Sequence, residues 1–481
     1  MSAGKRARLA AAGLVSGTVA CGALLGPAPQ ASAPSNTIGL HTIPGADLPV
    51  VQVLARAGAA KSGYVFVAEK KGGTTGGPMI VDSRGRVVWY HQIAPPQQAT
   101  DFRAQRYHGK PVLTWWQGTE SVAGTGKGEY EVYDTSYRHI ATVRAGNGLQ
   151  GDLHEFQLTP RGTAFITAYR EVAADLSGVG GPTRGFVDDS VVEEVDIATG
   201  RVLFEWHSIG HVPLAESTQA HREPARDATR KRPLDYFHVN SVADGPGGTV
   251  LISGRNVSTI YLLARDGHIV WRLGGKHSDF GPKAAVTFAF QHNARLHGNV
   301  LSLFDNGGIP RVEPFSRPLV LRLDVPARRA AIVRTFQPPR KIASPYEGNL
   351  QLLPGGGALV GWGGIRQVSE FGADGRLLLQ LKLPYGDTYR AYLGAWAGRP
   401  ASRPAVVVDG KRLYASWNGR TGITRWQLLA GADASHLAPA GEQAWTGLET
   451  AIALDGTAKA VAVRALDANG RVLGTSNVAG G

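Results

Sequence analysis

Phe237-His-Val-Asn-Ser-Val242, Thr249-Val-Leu-Ile-Ser-Gly254, Ile260-Tyr-Leu-Leu263 and Asp266-Gly-His-Ile-Val-Trp271 follow one another as short apolar or alternating segments separated by turn residues. Such a run reads as four successive antiparallel strands, because alternation and short apolar runs bounded by Gly or Asp are strand signals. The second segment recurs as Gly63–Ala68, Pro111–Trp116, Thr163–Ala168, Asn299–Phe304 and Ala358–Trp362. Third segments recur at Met79–Asp82, Val191–Asp196 and Leu319–Asp324, and fourth segments at Arg84–Tyr90, Thr199–Trp206 and Asp374–Leu379. Leu153–Leu158 and Asn349–Leu353 match the first. Units of four short strands repeated six times, about 50 residues apart, predict an all-β protein whose main body, residues 45–396, is a six-bladed β-propeller. The interval between Thr163 and Thr249 is longer and holds two insertions, Glu171–Asp189 and His207–Asp235, which read as functional lids or disordered loops.

Outside the repeat, residues 397–404 read as a linker, and residues 405–481 carry alternating strands that fit a small Ig- or fibronectin-III-like β-sandwich, read as a structural appendage. At the other end, Lys5, Arg6 and Arg8 precede an apolar stretch from Leu9 to Ala20, and Ala31-Ser32-Ala33 is a small-residue cleavage site. Residues 1–33 are therefore expected to be an export signal and the mature protein to be secreted or extracellular. Pro34 disfavours ordinary cleavage and Cys21 weakly resembles a lipoprotein box, so a lipid anchor at Cys21 is the alternative; no other membrane association is expected. Cys21 is the only cysteine, which excludes a disulfide or a Cys-ligated metal site in the mature chain.

The 481 residues are 43% hydrophobic and 19% charged, enough to bury a large core. The formal charge is +13, and removal of the three basic signal residues leaves 48 basic against 38 acidic, or +10. That balance favours anionic partners. No basic run interleaved with aromatics occurs, so no nucleic-acid role is expected.

Aligning the units places His154, His238, His292 and Asn349 at matching positions on the innermost strands, with Asp101 less securely in the second unit. Innermost strands line a propeller's channel, so these side chains should converge. A second set follows the next strand: Gln117, Tyr169-Arg170, Arg255-Asn256, Asp305-Asn306 and Gly363-Gly364. Antiparallel connection puts both sets at one rim, and Asn240, two residues after His238, shares its face. Three imidazoles can hold zinc, but consecutive blades spread them around the channel and the repeat alignment supplies no carboxylate to orient them. An arginine among imidazoles and amides suits a tetrahedral oxyanion better, with one histidine as nucleophile and another moving a proton. No metal and no cofactor are expected.

These residues lie in His154-Glu-Phe-Gln-Leu-Thr-Pro-Arg-Gly-Thr163, Phe237–Val242 with Ile252-Ser-Gly-Arg-Asn256, Trp271-Arg-Leu-Gly-Gly-Lys276, Phe290-Gln-His-Asn-Ala-Arg295 with Leu303–Gly307, and Gly348–Pro354. In that combination the chain resembles the arylsulfotransferase family, in particular its exported bacterial and fungal members, over about residues 45–396. The resemblance implies transfer of a sulfuryl group from an aryl sulfate to a phenol without a nucleotide donor. It implies that His292 is sulfated transiently, with His238, His154 and Arg255 as the other catalytic residues and Asn240 beside Arg255 on the sulfuryl oxygens. Asn293, Asn349, Tyr169 and Asn306 are the remaining expected substrate-binding residues. The better-known proteobacterial members are dimers with a disulfide that this chain cannot make. A non-catalytic cell-surface propeller binding anionic aromatic or saccharide ligands, and a sulfate-ester hydrolase, are the alternative readings.

Overall fold

The structure is a computed structural model describing residues 36–480 apart from 59, 61–62, 71–75, 122–123, 219–224, 226–227 and 283–284. The expected export signal, with Cys21, lies outside the described residues. Among the described residues no helix is long and apolar enough to cross a membrane. Regular structure is almost entirely β, with only single turns of 3-10 helix.

The quoted stretch forms a four-stranded antiparallel meander, Val239–Asp244, Val250–Gly254, Thr259–Leu263 and Ile269–Gly274. A second begins with His292–His297 and ends with Arg329–Thr335. A third starts at Asn349–Leu352 and gains a fifth strand, Gln52–Arg56, from near the beginning of the chain. Gln98–Val143 and Gly151–His207 supply four strands each to one eight-stranded sheet, whose halves meet at the single pair Gly151–Gly128. The remaining meander is assembled from both ends: Thr388–Gly394 pairs with Tyr64–Glu69, which continues into Gly77–Asp82 and Val87–Tyr90.

Pairing at both ends closes the ring. The first strands touch in the order Thr388–Gly394, Gln98–Tyr107, Gly151–Leu158, Val239–Asp244, His292–His297, Asn349–Leu352 and back to Thr388–Gly394. The arrangement is propeller-like. Apolar residues of neighbouring sheets fill the spaces between them, as Leu251, Trp271 and Leu273 do against Leu301, Leu303 and Leu321.

The Glu171–Asp189 insertion is not a loose lid. It lengthens a hairpin, with Thr163–Ala174 paired residue for residue to Gly185–Asp196, so the backbone groups of its two strands are satisfied within the sheet. Leu176, Val179 and Val187 of its tip share a core with Val212, Ala225, Ala228 and Leu234 of the second insertion.

Residues 405–480 form a three-stranded sheet and a five-stranded sheet. Trp426, Leu428, Val461 and Val463 of these strands belong to the same apolar cluster as Phe66, Trp89, Trp115 and Trp396 of the ring. Polar contacts add to it: Tyr137 donates to the Gly419 carbonyl (2.7 Å), and Asn418 exchanges two hydrogen bonds with the Tyr90 backbone (3.0 and 2.9 Å). A shared core of this kind holds the segment against the ring more firmly than a tether.

Candidate active site

Five of the six channel-lining strands depart from regular pairing at the depth where polar residues cluster; Asn349–Leu352 alone keeps its register. Register shifts fall at Thr100/Arg103, Gly151/Phe156, Val239/Ser241, His292/Arg295 and Thr388/Ala391. Asp101, His238, Phe290 and Asn293 adopt left-handed backbone, with φ of 53°, 56°, 57° and 54°. That conformation costs roughly 1–2 kcal/mol per non-glycine residue, and bulges of this kind re-aim side chains. Here they turn consecutive residues into the channel.

His154 Nδ1 lies 2.5 Å from Asp152 Oδ2, and His238 Nδ1 lies 2.5 Å from Asp235 Oδ2. Both imidazoles are buried, and their Nε2 atoms face one another at 3.2 Å with ring planes 83° apart. With each Nδ1 hydrogen directed to a carboxylate, the Nε2–Nε2 contact is a hydrogen bond only when the two rings share a proton. Burial alone would raise Asp152 and Asp235, but the adjoining histidines hold both carboxyls below their usual range. His238 is pushed down to about 4, first by burial and then by Arg255, against the pull of Asp235.

His292 is oriented differently. Its Nδ1 meets two acceptors, the Phe290 carbonyl (3.0 Å) and Asn306 Oδ1 (2.7 Å). The Asn306 amide cannot be turned round, because its Nδ2 donates to the carbonyls of Ser344 (3.3 Å) and Glu347 (2.9 Å). Nδ1 therefore carries the hydrogen and Nε2 the lone pair. Burial, followed by the field of Arg255, holds His292 well below the ordinary imidazole value, so the ring is neutral at pH 7.

Arg255 ends the second strand of its meander, its backbone N–H donating to the His238 carbonyl (2.9 Å). Nε donates to Asn256 Oδ1 (2.9 Å), the guanidinium lies 5.2 Å over the Phe290 ring, and NH2 stands 3.9 Å from Asp235. Among the described residues no ion pair at normal hydrogen-bond length occupies its terminal nitrogens, and its side chain is 19% exposed. The group is held in place with donors to spare.

Two tyrosines wall the site. Tyr389 lies between His154 and His292, at ring-centroid distances of 5.4 and 6.3 Å, and Tyr169 packs on His154 and His238 at 6.0 and 5.9 Å. Their hydroxyls donate to the carbonyls of Asn240 (3.0 Å) and Val239 (2.6 Å), and burial pushes both phenols well above their usual value.

The expected residues thus divide. His154, His238, His292, Arg255 and Tyr169 come together, and Asn306 joins them as the group that positions His292. Asn240 is buried, with Nδ2 donating to the Gln291 carbonyl (2.7 Å) and Oδ1 lacking a partner. Asn349 instead clasps the neighbouring strand, its amide meeting both N–H and carbonyl of Ala391 (2.9 and 2.7 Å). Asn293 lines a cavity with Arg106, His297 and Gln351, further along the channel. Asp101 lies in a buried ion-pair layer with Arg103 and Arg390 (3.0 Å each). Among the described residues no group of three His, Cys, Asp or Glu is placed to hold a metal.

Sequence reading missed the carboxylates. Asp152 and Asp235 precede their histidines by two and three residues, and that Asp-x-His and Asp-x-x-His spacing was the available signal. It also missed Tyr389 and Arg390, which reach the channel because the ring is closed by a strand from far along the chain.

Among solved structures the chain is similar to a protein of unknown function from Bacteroides caccae, at 11% identity and a TM-score of 0.42, covering 69% of this chain and 98% of that one. It is similar also to a putative 6-phosphogluconolactonase from Bacteroides fragilis (11%, TM-score 0.34, 83% and 100%) and to a virginiamycin B lyase from Staphylococcus aureus (12%, TM-score 0.28, 77% and 96%). No curated protein matches it significantly. The family model described as arylsulfotransferase (ASST) matches residues 103–383, more than half the chain and all three histidines with Arg255. The chain belongs to the arylsulfotransferase family.

Proposed function

We propose that this protein is an exported aryl-sulfate sulfotransferase that moves a sulfuryl group from an aryl sulfate to a phenol through a sulfated His292. Its body is a six-bladed propeller, with the eight-stranded sheet counted as two blades joined at Gly128–Gly151, followed by an Ig- or fibronectin-III-like sandwich over 405–481. The observation that carries the reading is the fixed tautomer of His292, whose Nδ1 hydrogen is committed to Phe290 and Asn306 and whose Nε2 keeps its lone pair.

In the first half-reaction His292 Nε2 attacks sulfur. The N–S bond forms as the S–O bond to the aryl group breaks, and the departing phenolate oxygen takes the proton that His154 Nε2 directs at the neutral His238. Arg255 donates to the sulfuryl oxygens while charge shifts across them. In the second half an acceptor phenol returns a proton to the histidine pair, its oxygen attacks sulfur, and the N–S electron pair goes back to Nε2. Asp152 and Asp235 stabilise the charged form of the pair in both directions.

The test is incubation of purified protein with 4-nitrophenyl sulfate, with and without phenol, followed by nitrophenol release and intact mass. Acceptor-stimulated release with a sulfuryl adduct on the protein is expected. Release at the same rate without acceptor would mark a hydrolase, and neither release nor adduct across several aryl sulfates would mark a binding protein.

A further inference from the structure

Beyond the ion-pair layer the channel opens into a cavity of about 590 Å³, lined by later residues of the same inner strands, including Arg103, Arg106, Asn293, Arg295 and Gln351. Its volume falls in the range that holds a small organic ligand, roughly 300–1,000 Å³. Arg103 and Arg295 line it, and Arg390 shares their carboxylates. These three guanidinium groups meet only two carboxylates, Asp101 and Glu155, at 2.7–3.0 Å, which leaves one positive charge in excess. Arg106 adds another at the exposed rim. The walls are mixed: Leu158, Leu350, Leu352 and the Tyr392 ring supply apolar surface.

Among the described residues, two buried donors here lack partners. Asn293 is 2% exposed and its Nδ2 makes no hydrogen bond; Arg103 is 7% exposed and its Nε makes none. A buried donor left unmet is costly, so such groups mark places where a partner fits. Gln105 and Gln351 are spent on strand-to-strand clasps, with Leu158 N–H (2.9 Å) and Leu393 N–H (2.7 Å), whereas the Asn293 amide donor and the Gln157 Oε1 acceptor stay uncommitted among the described residues.

We infer that this cavity is a second ligand site, distinct from the histidine pocket, that binds a small organic anion with an apolar or aromatic body. Its acid group would accept from Asn293 Nδ2 and sit in the excess charge of Arg103, Arg106 and Arg295. Its body would lie on Leu158, Leu350 and Tyr392. The inference does not depend on the sulfuryl chemistry.

Titration calorimetry with 2-naphthalenesulfonate tests it, since a carbon-bound sulfonate cannot be transferred. Arg106→Glu reverses an exposed charge, and Asn293→Asp keeps a residue that tolerates left-handed backbone while replacing the donor by a negative charge. Each is expected to weaken one binding event at least tenfold, and that event should survive in His292→Ala and Arg255→Ala. Turnover of 4-nitrophenyl sulfate should be unchanged in Arg106→Glu. Binding unaffected by Arg106→Glu and Asn293→Asp, binding lost in Arg255→Ala, or no binding at millimolar ligand would each overturn the proposal.

Discussion

Two layers of one channel are built from the same strands and use adjacent residues to opposite ends. In the first layer His154, His238 and His292 each have one nitrogen pinned and the other turned to a neighbour or the channel. In the second, Glu155, next in sequence to His154, meets Arg103, Arg295 and Arg390, while Asp101 meets Arg103, Arg390 and the Tyr392 hydroxyl (3.0 Å). Glu155 is buried, which alone would raise it, yet the three guanidinium groups hold it well below the usual carboxylate range. One layer keeps reactive capacity, and the other spends both its carboxylates on fixing the strands that present it.

The sharpest way to break that comparison is to remove the nucleophile. His292→Ala is expected to lower aryl-sulfate turnover by about 10⁴-fold or more with an unchanged melting temperature, because its loss disables a group that works as a unit with its neighbours. Glu155→Gln should do the reverse. It leaves guanidinium groups unmatched in a buried site and is expected to cost about 3–5 kcal/mol of stability by urea denaturation. Were Glu155→Gln to abolish turnover at unaltered stability, the division between layers would fail.

Arg255→Ala comes next. Removing one donor to developing charge costs about 2.7–4 kcal/mol of barrier, so turnover should fall a few hundred-fold with the fold intact. The effect of pH is the most gradual, spread over more than two pH units. His238 titrates near 4 when folded, and near its ordinary 6.5 when unfolded. The unfolded chain therefore binds a proton first as pH falls, so stability is full above about pH 6.5 and declines toward pH 4, by roughly 1.4 kcal/mol per pH unit for this group. His292, shifted the same way, should add to the slope. Urea midpoints measured from pH 7 to pH 4 check this, and a midpoint that rises on acidification would contradict it.

Much of this was legible in the sequence because strands and turns announce themselves locally. Thr249–Gly254 and its counterparts are all second strands of their meanders, and their register was enough to put His154, His238, His292 and Arg255 together. What was not legible depends on geometry that alternation does not encode. Left-handed Asn293 leaves a bulge that sends its side chain to the far cavity, although His292 beside it faces the site. Asn349 shares the register of the histidines but is consumed by Ala391. Asp235 sits at the end of an insertion, where repeat alignment has nothing to compare it with. Tyr389 and Arg390 belong to a meander completed only when the two ends of the ring meet.

The most direct measurement is to charge the protein with 4-nitrophenyl sulfate without an acceptor, locate the modification by peptide mass spectrometry, and then add phenol. A single sulfuryl group on His292, formed with one equivalent of nitrophenol and discharged by phenol, is the expected result. Nitrophenol release with no adduct, or with the adduct on another residue, would contradict the assignment of His292 as the nucleophile.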